Sequence, residues 1–330
     1  MSFYKRDLLN HFKAIQPALL ELGAEAFLDP STFVLRARLG AATRTLYPQF
    51  ISFAKGLKQY TPSLNADARR FIGWCPYVNR RWVLASQKLA FKQFAVENSI
   101  RTPDYSTDSA AEMEDVVVKR SVSSFGSTIK GPFKRSSEHS LDVQTQEYFE
   151  RFTFGRIAKI WYWNDRPVCV EFERMPIVEG NGIATMRELI ERRLRRRKKR
   201  AMEKLEPLLD YQNVTLDTVL PKAQERIIDF RYGSPFARRR HERDVDLVNE
   251  MIPSLEPQLR AFGSKLWRGI PDQLREDTVF TVDAIVDERD RIWALEMNSN
   301  PFIHPYVYPV MLKDLFTAKK PNLAGAALQT

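Results

Sequence analysis

The chain has 330 residues, 44% hydrophobic and 28% charged, a length that suits one large or two to three smaller globular units. No run approaches the ~20 apolar residues of a membrane span, and Met1–Asp7 lacks the apolar core of a signal peptide. Two widely separated cysteines, Cys75 and Cys169, and four histidines without ligand spacing exclude a disulfide scaffold and a zinc site, and fit a cytoplasmic protein. Much of the net charge of +10 lies in Arg192–Arg200 and Arg238–Arg240. Glu188, Glu191, Glu203 and Glu206 flank the first run at spacings that allow pairing along a helix, so nucleic-acid binding is not expected as the main role.

From Asp7 to about Phe27, Leu8, Leu9, Phe12, Ile15, Leu19 and Leu20 recur at helical spacing. Residues 32–80 are punctuated by Pro48, Pro62 and Pro76 and carry no dinucleotide-binding signature, so residues 1–81 are expected to be a mostly helical region that shapes a substrate pocket. A helix is predicted from Trp82 to about Asn98. Val116-Val117-Val118 reads as a buried strand because its branched residues are continuous. Ile157–Trp163 and Val168–Phe172 predict an antiparallel pair turning at Asn164-Asp165. Met186–Leu205 predicts a charged helix, and Val279–Val286 with Ile292–Met297 a second hairpin. This order is an α+β pattern.

Three constellations carry chemistry. In the last hairpin, Glu296 and Asn298 are two apart and share a strand face, and a facing strand can bring Asp283 beside them. Two carboxylates and an amide oxygen are hard ligands suited to magnesium held with phosphates. Most hairpin acids are merely solvated, but Glu296 follows the apolar run Ile292–Leu295 and precedes Met297, a setting that favours recruitment. The second is Lys119, at the end of a buried strand, followed by a loop with Ser123, Ser124 and Gly126. It could place a charge and backbone N–H groups on phosphate oxygens. The third, Glu147-Tyr148-Phe149-Glu150, could offer backbone groups to an adenine edge and a carboxylate to a ribose. Taken singly, the second and third match many ordinary loops and strand connections.

In order, these elements resemble the ATP-grasp superfamily over about residues 82–313. Ser86–Lys92 with Ile100-Arg101-Thr102-Pro103 is similar to its opening lysine helix and exit. Val117-Val118-Lys119 with Ser123–Gly126 is similar to its second ATP lysine and lid. Asp283 with Glu296-Met297-Asn298-Ser299-Asn300-Pro301 resembles its magnesium aspartate and "Glu-x-Asn-x-x-Pro" motif. Arg174–Ile190, with Gly180-Asn181-Gly182, resembles the branch containing cyanophycin synthetase and the ribosomal-protein glutamate ligase. Departures are Ile157 where an acid for ribose is usual, Lys159 where an arginine is common, and Arg231 in place of asparagine.

The resemblance implies two α+β subdomains, 82–148 and 149–330, clasping ATP, with an N-terminal region of another kind. It implies an ATP- and magnesium-dependent ligase that joins a carboxylate to an amine through an acylphosphate. Lys88 and Lys119 would meet phosphates. Asp283, Glu296 and Asn298 would hold one or two magnesium ions, and Arg231 and Lys159 would steady the oxyanion. His304 falls where that branch carries a histidine. Substrates would be small-molecule or peptide carboxylates and amines, an anionic one being suggested by the basic runs. The alternatives are a binding protein for nucleic acid or an acidic partner with a vestigial ATP site, and a phosphotransferase of the same fold.

Overall fold

The computed structural model describes residues 3–54, 57–122, 129–194, 202, 205–234, 236, 244–247 and 254–317. The N-terminal helix forms as α1 (Phe3–Glu21) and buries Ile15, Ala18 and Leu19. Beyond it the chain turns to strands, which corrects the expectation of a mostly helical region. The strands β1 (Glu25–Leu28), β2 (Leu35–Leu39), β3 (Ala42–Ala54), β4 (Leu57–Thr61) and β5 (Ala68–Cys75) make a five-stranded antiparallel sheet. The cause is period-2 patterning: Leu35 and Ala37 are buried while Arg36 and Arg38 are exposed, and β3 is rich in threonine and aromatic residues. Pro48 lies inside β3 beside a bulge at Gln49/Phe50, where a strand tolerates it, rather than marking a loop.

A 3₁₀ turn at Val83–Ala85 leads into α2 (Lys88–Glu97). A second sheet comes next, made of β6 (Tyr105–Ser106), β7 (Glu114–Arg120), β8 (Lys130–Arg135) and β9 (Glu147–Arg151), in the order β6-β9-β7-β8. Val116, Val118 and Phe149 pack with Leu141 on one face. By alternation, Val117, Lys119, Tyr148 and Glu150 take the other. β9 straddles residue 148 and stays wholly in this sheet.

The central sheet contains β10 (Arg156–Trp163) and β11 (Arg166–Glu173), which turn at Asn164-Asp165 as the sequence predicts. β12 (Ile177–Glu179) pairs with β13 (Glu225–Ile227). Between them α3 (Met186–Arg193) starts at a capping box of Thr185 with Glu188 and ends at Leu194, short of the predicted Leu205; residues 195–201, 203 and 204 lie outside the described residues. After α4 (Glu206–Tyr211) come β14 (Asp244–Leu247), α5 (Glu256–Arg268), α6 (Asp272–Arg275), β15 (Val279–Val286), β16 (Ile292–Asn298) and α7 (Val307–Thr317). The sheet order is β14-β11-β10-β15-β16, antiparallel throughout. Helices set against antiparallel sheets make up the α+β class that the sequence predicts. No helix among the described residues is long and apolar enough to cross a membrane.

One face of this sheet, with Ala158, Ile160, Tyr162, Val170, Phe280 and Val282, packs on Leu259, Phe262 and Leu266 of α5. A Cβ at Gly263 would lie 2.2 Å from the Asp165 carbonyl oxygen, so the helix reaches the β10–β11 turn only because that residue is glycine. On the opposite face Trp161, Trp163, Cys169 and Val279 join the N-terminal core with Ile15, Phe50, Trp74 and Met311. The N-terminal unit and α7 thus cover one half of that face.

The β15–β16 turn is fixed by Asp287. Its carboxylate accepts from the backbone N–H groups of Arg289 (3.0 Å) and Arg291 (2.9 Å), from Arg291 Nε (2.8 Å) and from Trp293 Nε1 (2.8 Å). Burial alone would raise its pKa, but the bonds from Trp293 and Arg291 outweigh that and hold it at about 2. A carboxyl depressed on folding adds stability that is fully present above its unfolded pKa and is lost as pH falls through the folded one. Replacing Asp287 by Ala is expected to cost about 2 kcal/mol in denaturant melts near neutrality. The difference from the parent chain should shrink between pH 4 and pH 2. A pH-independent difference would show that the charge is not the cause.

Candidate active site

Cross-strand register assembles the site. Lys159 on β10 lies opposite both Glu171 on β11 and Asp283 on β15, and Asp283 lies opposite Glu296 on β16. Four adjacent strands therefore present the row Glu171–Lys159–Asp283–Glu296 on one face, beyond the half covered by the N-terminal unit. A bulge between Asp283 and Ala284 absorbs Leu295. It keeps Ala294 and Met297 in the core while turning Glu296 and Asn298 to the site. Lys159 Nζ lies 2.6 Å from Asp283 Oδ1, and Asn298 Nδ2 donates to Asp283 Oδ2 at 3.3 Å.

The second sheet and α2 supply the facing groups. Lys88, at the start of α2, pairs with Glu296 at 2.9 Å. Its backbone N–H donates to Ser121 at the end of β7, which ties the helix to that sheet. One turn on, Lys92 is fully buried; its Nζ lies 2.6 Å from Glu150 Oε2 and donates to Thr102 Oγ1 at 2.6 Å. Thr102 in turn donates to the Ala294 carbonyl of β16 at 2.8 Å. Glu150 also holds Lys119. Among the described residues, two hydroxyls here are wholly buried without a hydrogen-bond partner: Tyr148 Oη, on the face of Lys119 and Glu150, and Thr281 Oγ1, opposite Asn298.

The remaining expected residues are placed differently. Glu147 and Phe149 point to the far face of β9, where Lys130 holds Glu147 at 2.7 Å with Arg120 and His139 nearby, so the side chains of residues 147–150 do not share one face. Ser123, Ser124 and Gly126 lie outside the described residues. Arg231 is engaged by Asp229 at 2.8 Å, while its neighbour Tyr232 donates to Glu171 of the row at 2.8 Å. The Tyr306 N–H donates to His304 Nδ1 at 3.3 Å, leaving the neutral ring its proton on Nε2. Of the basic runs, Arg193 donates to the Phe236 and Ile177 carbonyls; Arg195–Arg200 and Arg238–Arg240 lie outside the described residues. Lys92 and Glu171 are not singled out by the sequence. The spacing of Lys88 and Lys92, four apart on a helix, is a signal for the first.

Burial pushes Lys92 down to about 8 against the pull of Glu150. Burial would raise Glu150, but Lys119 and Lys92 together hold it below the usual carboxylate range. Burial and the neighbouring Glu296 raise Asp283 despite Lys159, whereas Lys88 overcomes burial and lowers Glu296. One of the paired carboxylates thus gives up its charge more easily than the other.

Among the described residues no three histidine, cysteine or acidic side chains are grouped to hold a metal by themselves. Asp283, Glu296 and Asn298 offer two carboxylates and an amide oxygen. Such a set fits magnesium, which takes one or two carboxylates and completes its shell with water and phosphate oxygens.

No protein-family model and no curated protein sequence matches the chain. Solved structures similar to it include a bifunctional glutathione synthetase from Pasteurella multocida, at 15% identity and a TM-score of 0.42, matching 92% of this chain and 43% of that one. A D-alanine–D-alanine ligase from Bacillus anthracis matches at 12% identity and a TM-score of 0.35, over 71% of this chain and 66% of that one. The ATP-grasp ligase PsnB, complexed with a minimal precursor, matches at 10% identity and a TM-score of 0.33, over 70% and 60%. The chain thus spans less than half the length of the synthetase.

Breaking a buried ion pair from one side leaves an uncompensated charge and costs about 3–5 kcal/mol. Glu150→Gln, which strands Lys92 and Lys119, is expected to lower stability by about that amount in urea melts. A loss under about 1 kcal/mol would show that water reaches the triad.

Proposed function

We propose that the chain is an ATP-grasp enzyme that uses magnesium-ATP to activate a carboxylate and join it to an amine. The observation that carries this reading is the row Asp283–Glu296, two carboxylates on neighbouring strands met by Lys88 from a helix and Lys159 from the next strand. Beside it, Lys119 sits on a second sheet. Such an array suits a polyphosphate with its cation, where catalysis is mostly positioning and electrostatic stabilisation. The buried hydroxyls of Tyr148 and Thr281 are donors that a bound ligand would satisfy.

The β6–β9 sheet, which keeps β9 whole through Arg151, and the β10–β16 sheet that follows form the two halves that clasp the nucleotide, with the N-terminal unit closing one end. Lys88 and Lys119 take phosphate oxygens. Asp283, Glu296 and Asn298 would hold magnesium, which would supply neutralisation of phosphate charge. A substrate carboxylate oxygen attacks the γ-phosphorus and its bond to the bridging oxygen breaks, giving an acylphosphate and ADP. The amine nitrogen then attacks the acyl carbon, phosphate leaves, and the nitrogen gives up a proton. Lys159, which lies in the row itself beside Asp283, is the cation assigned to the developing oxyanion, and the guanidinium of Arg231 is engaged by Asp229. The substrates are small-molecule or peptide carboxylates and amines.

ADP release is expected with magnesium-ATP when carboxylate and amine are both supplied from pools of amino acids and short peptides. It should fall by about 100-fold or more in Glu296→Ala. Release of AMP, or ADP release indifferent to the amine, would overturn the ligase reading.

A further inference from the structure

Both carboxylates of the proposed metal site are already bound by lysines. Glu296 is taken by Lys88 at 2.9 Å and Asp283 by Lys159 at 2.6 Å, with side chains between 14% and 26% exposed. At that depth salt screens such pairs little. Resting on the nucleotide reading of this site, we propose that these pairs are exchange partners. The lysines and carboxylates neutralise one another in the empty site, so that metal and nucleotide each bind poorly alone and strongly together.

The coupling arises from where each released charge goes. A phosphate arriving alone must draw Lys88 from Glu296. That leaves an unpaired carboxylate directly opposite Asp283 and close to the incoming anion. A divalent cation arriving alone must displace the ammonium groups of Lys88 and Lys159 and hold them near itself. When both arrive, Lys88 finds a phosphate oxygen and each released carboxylate finds the cation. The penalty disappears, which is a coupling free energy between the two ligands and therefore reciprocal. Glu150 is arranged otherwise. Lys92, with no exposure at all, stays on it when Lys119 departs, so that carboxylate is never left alone and Lys119 moves without help from the metal.

Removing one member of the Lys88–Glu296 pair should therefore strengthen the binding of one ligand taken singly. The test is equilibrium binding at pH 7, where Lys92 keeps its charge on Glu150. It uses ADP in EDTA, manganese alone, and ADP with magnesium, each with the parent chain, Glu296→Gln and Lys88→Met. Glu296→Gln should bind metal-free ADP about five-fold or more tightly than the parent and gain less from magnesium. Lys88→Met should bind manganese alone more tightly by a similar factor, yet bind ADP with magnesium more weakly. The two signs are independent, so either variant decides the matter if the other fails to fold. Variants that bind their single ligands no better than a parent that binds ADP with magnesium would overturn the exchange and leave the nucleotide site standing. A parent that binds ADP neither with nor without magnesium would overturn both.

Discussion

A strand that slips by one residue turns its whole side-chain set to the other face, and the central sheet is built against such a slip. Its two faces differ about as much as faces can. Ala158, Ile160, Tyr162, Val282 and Ala284 are sealed under α5, while Lys159 and Asp283, one residue away, carry charge. Moving β10 or β15 by one position would bury an ammonium or a carboxylate among aliphatic side chains and expose tyrosine and valine. Desolvating an unpaired charge costs several kcal/mol even after relaxation. The register that seals the core is therefore the register that builds the charged row.

The two irregularities in that sheet have the same origin. The bulge at Asp283/Ala284 lets β16 take up Leu295 without surrendering either Ala294 and Met297 to the site or Glu296 to the core. The shift between Trp161 and Tyr162 moves β11 by one residue, which brings Glu171 rather than Val170 opposite Lys159. Both sit where a regular ladder would place the wrong chemistry beside the row.

The N-terminal unit gives the row its environment. Trp161 and Trp163 lie on the same face as Lys159, but they belong to the core shared with α1, β3, β5 and α7, so the row ends against an apolar wall. The connection is locked at Arg80. Its backbone N–H donates to Asn300 Oδ1 at 3.2 Å and its carbonyl accepts from Asn300 Nδ2 at 2.7 Å. Its guanidinium donates to the Leu274 and Glu276 carbonyls. The chain that leaves the first sheet is thereby fixed to the segment just beyond Asn298. Opposite, α2 is held to β7 through Ser121 and to β16 through Thr102, so lysines from different elements converge without a loop having to place them.

Local facts are legible in the chain alone: two hairpins, the α2 helix, the buried valine run of β7, and the shared face of Glu296 and Asn298. Each depends on neighbours within a few residues, on alternation, turn chemistry and helical spacing. Other local signals are equally present. Glu147 and Glu150 are three apart, so once β9 is a strand they must face opposite ways, and the alternation in Leu35–Leu39 marks a strand rather than a helix. Which side chains meet is settled by packing instead. From the Asn164-Asp165 turn, a regular hairpin would set Lys159 against Val170, and the packed sheet with its bulge sets it against Glu171. That Lys92 is buried as a counter-ion, and that Arg231 is engaged by Asp229, likewise depend on the folded arrangement of the site. Sequence spacing fixes which face a residue takes, but the partner on that face is set by a register that long-range burial selects.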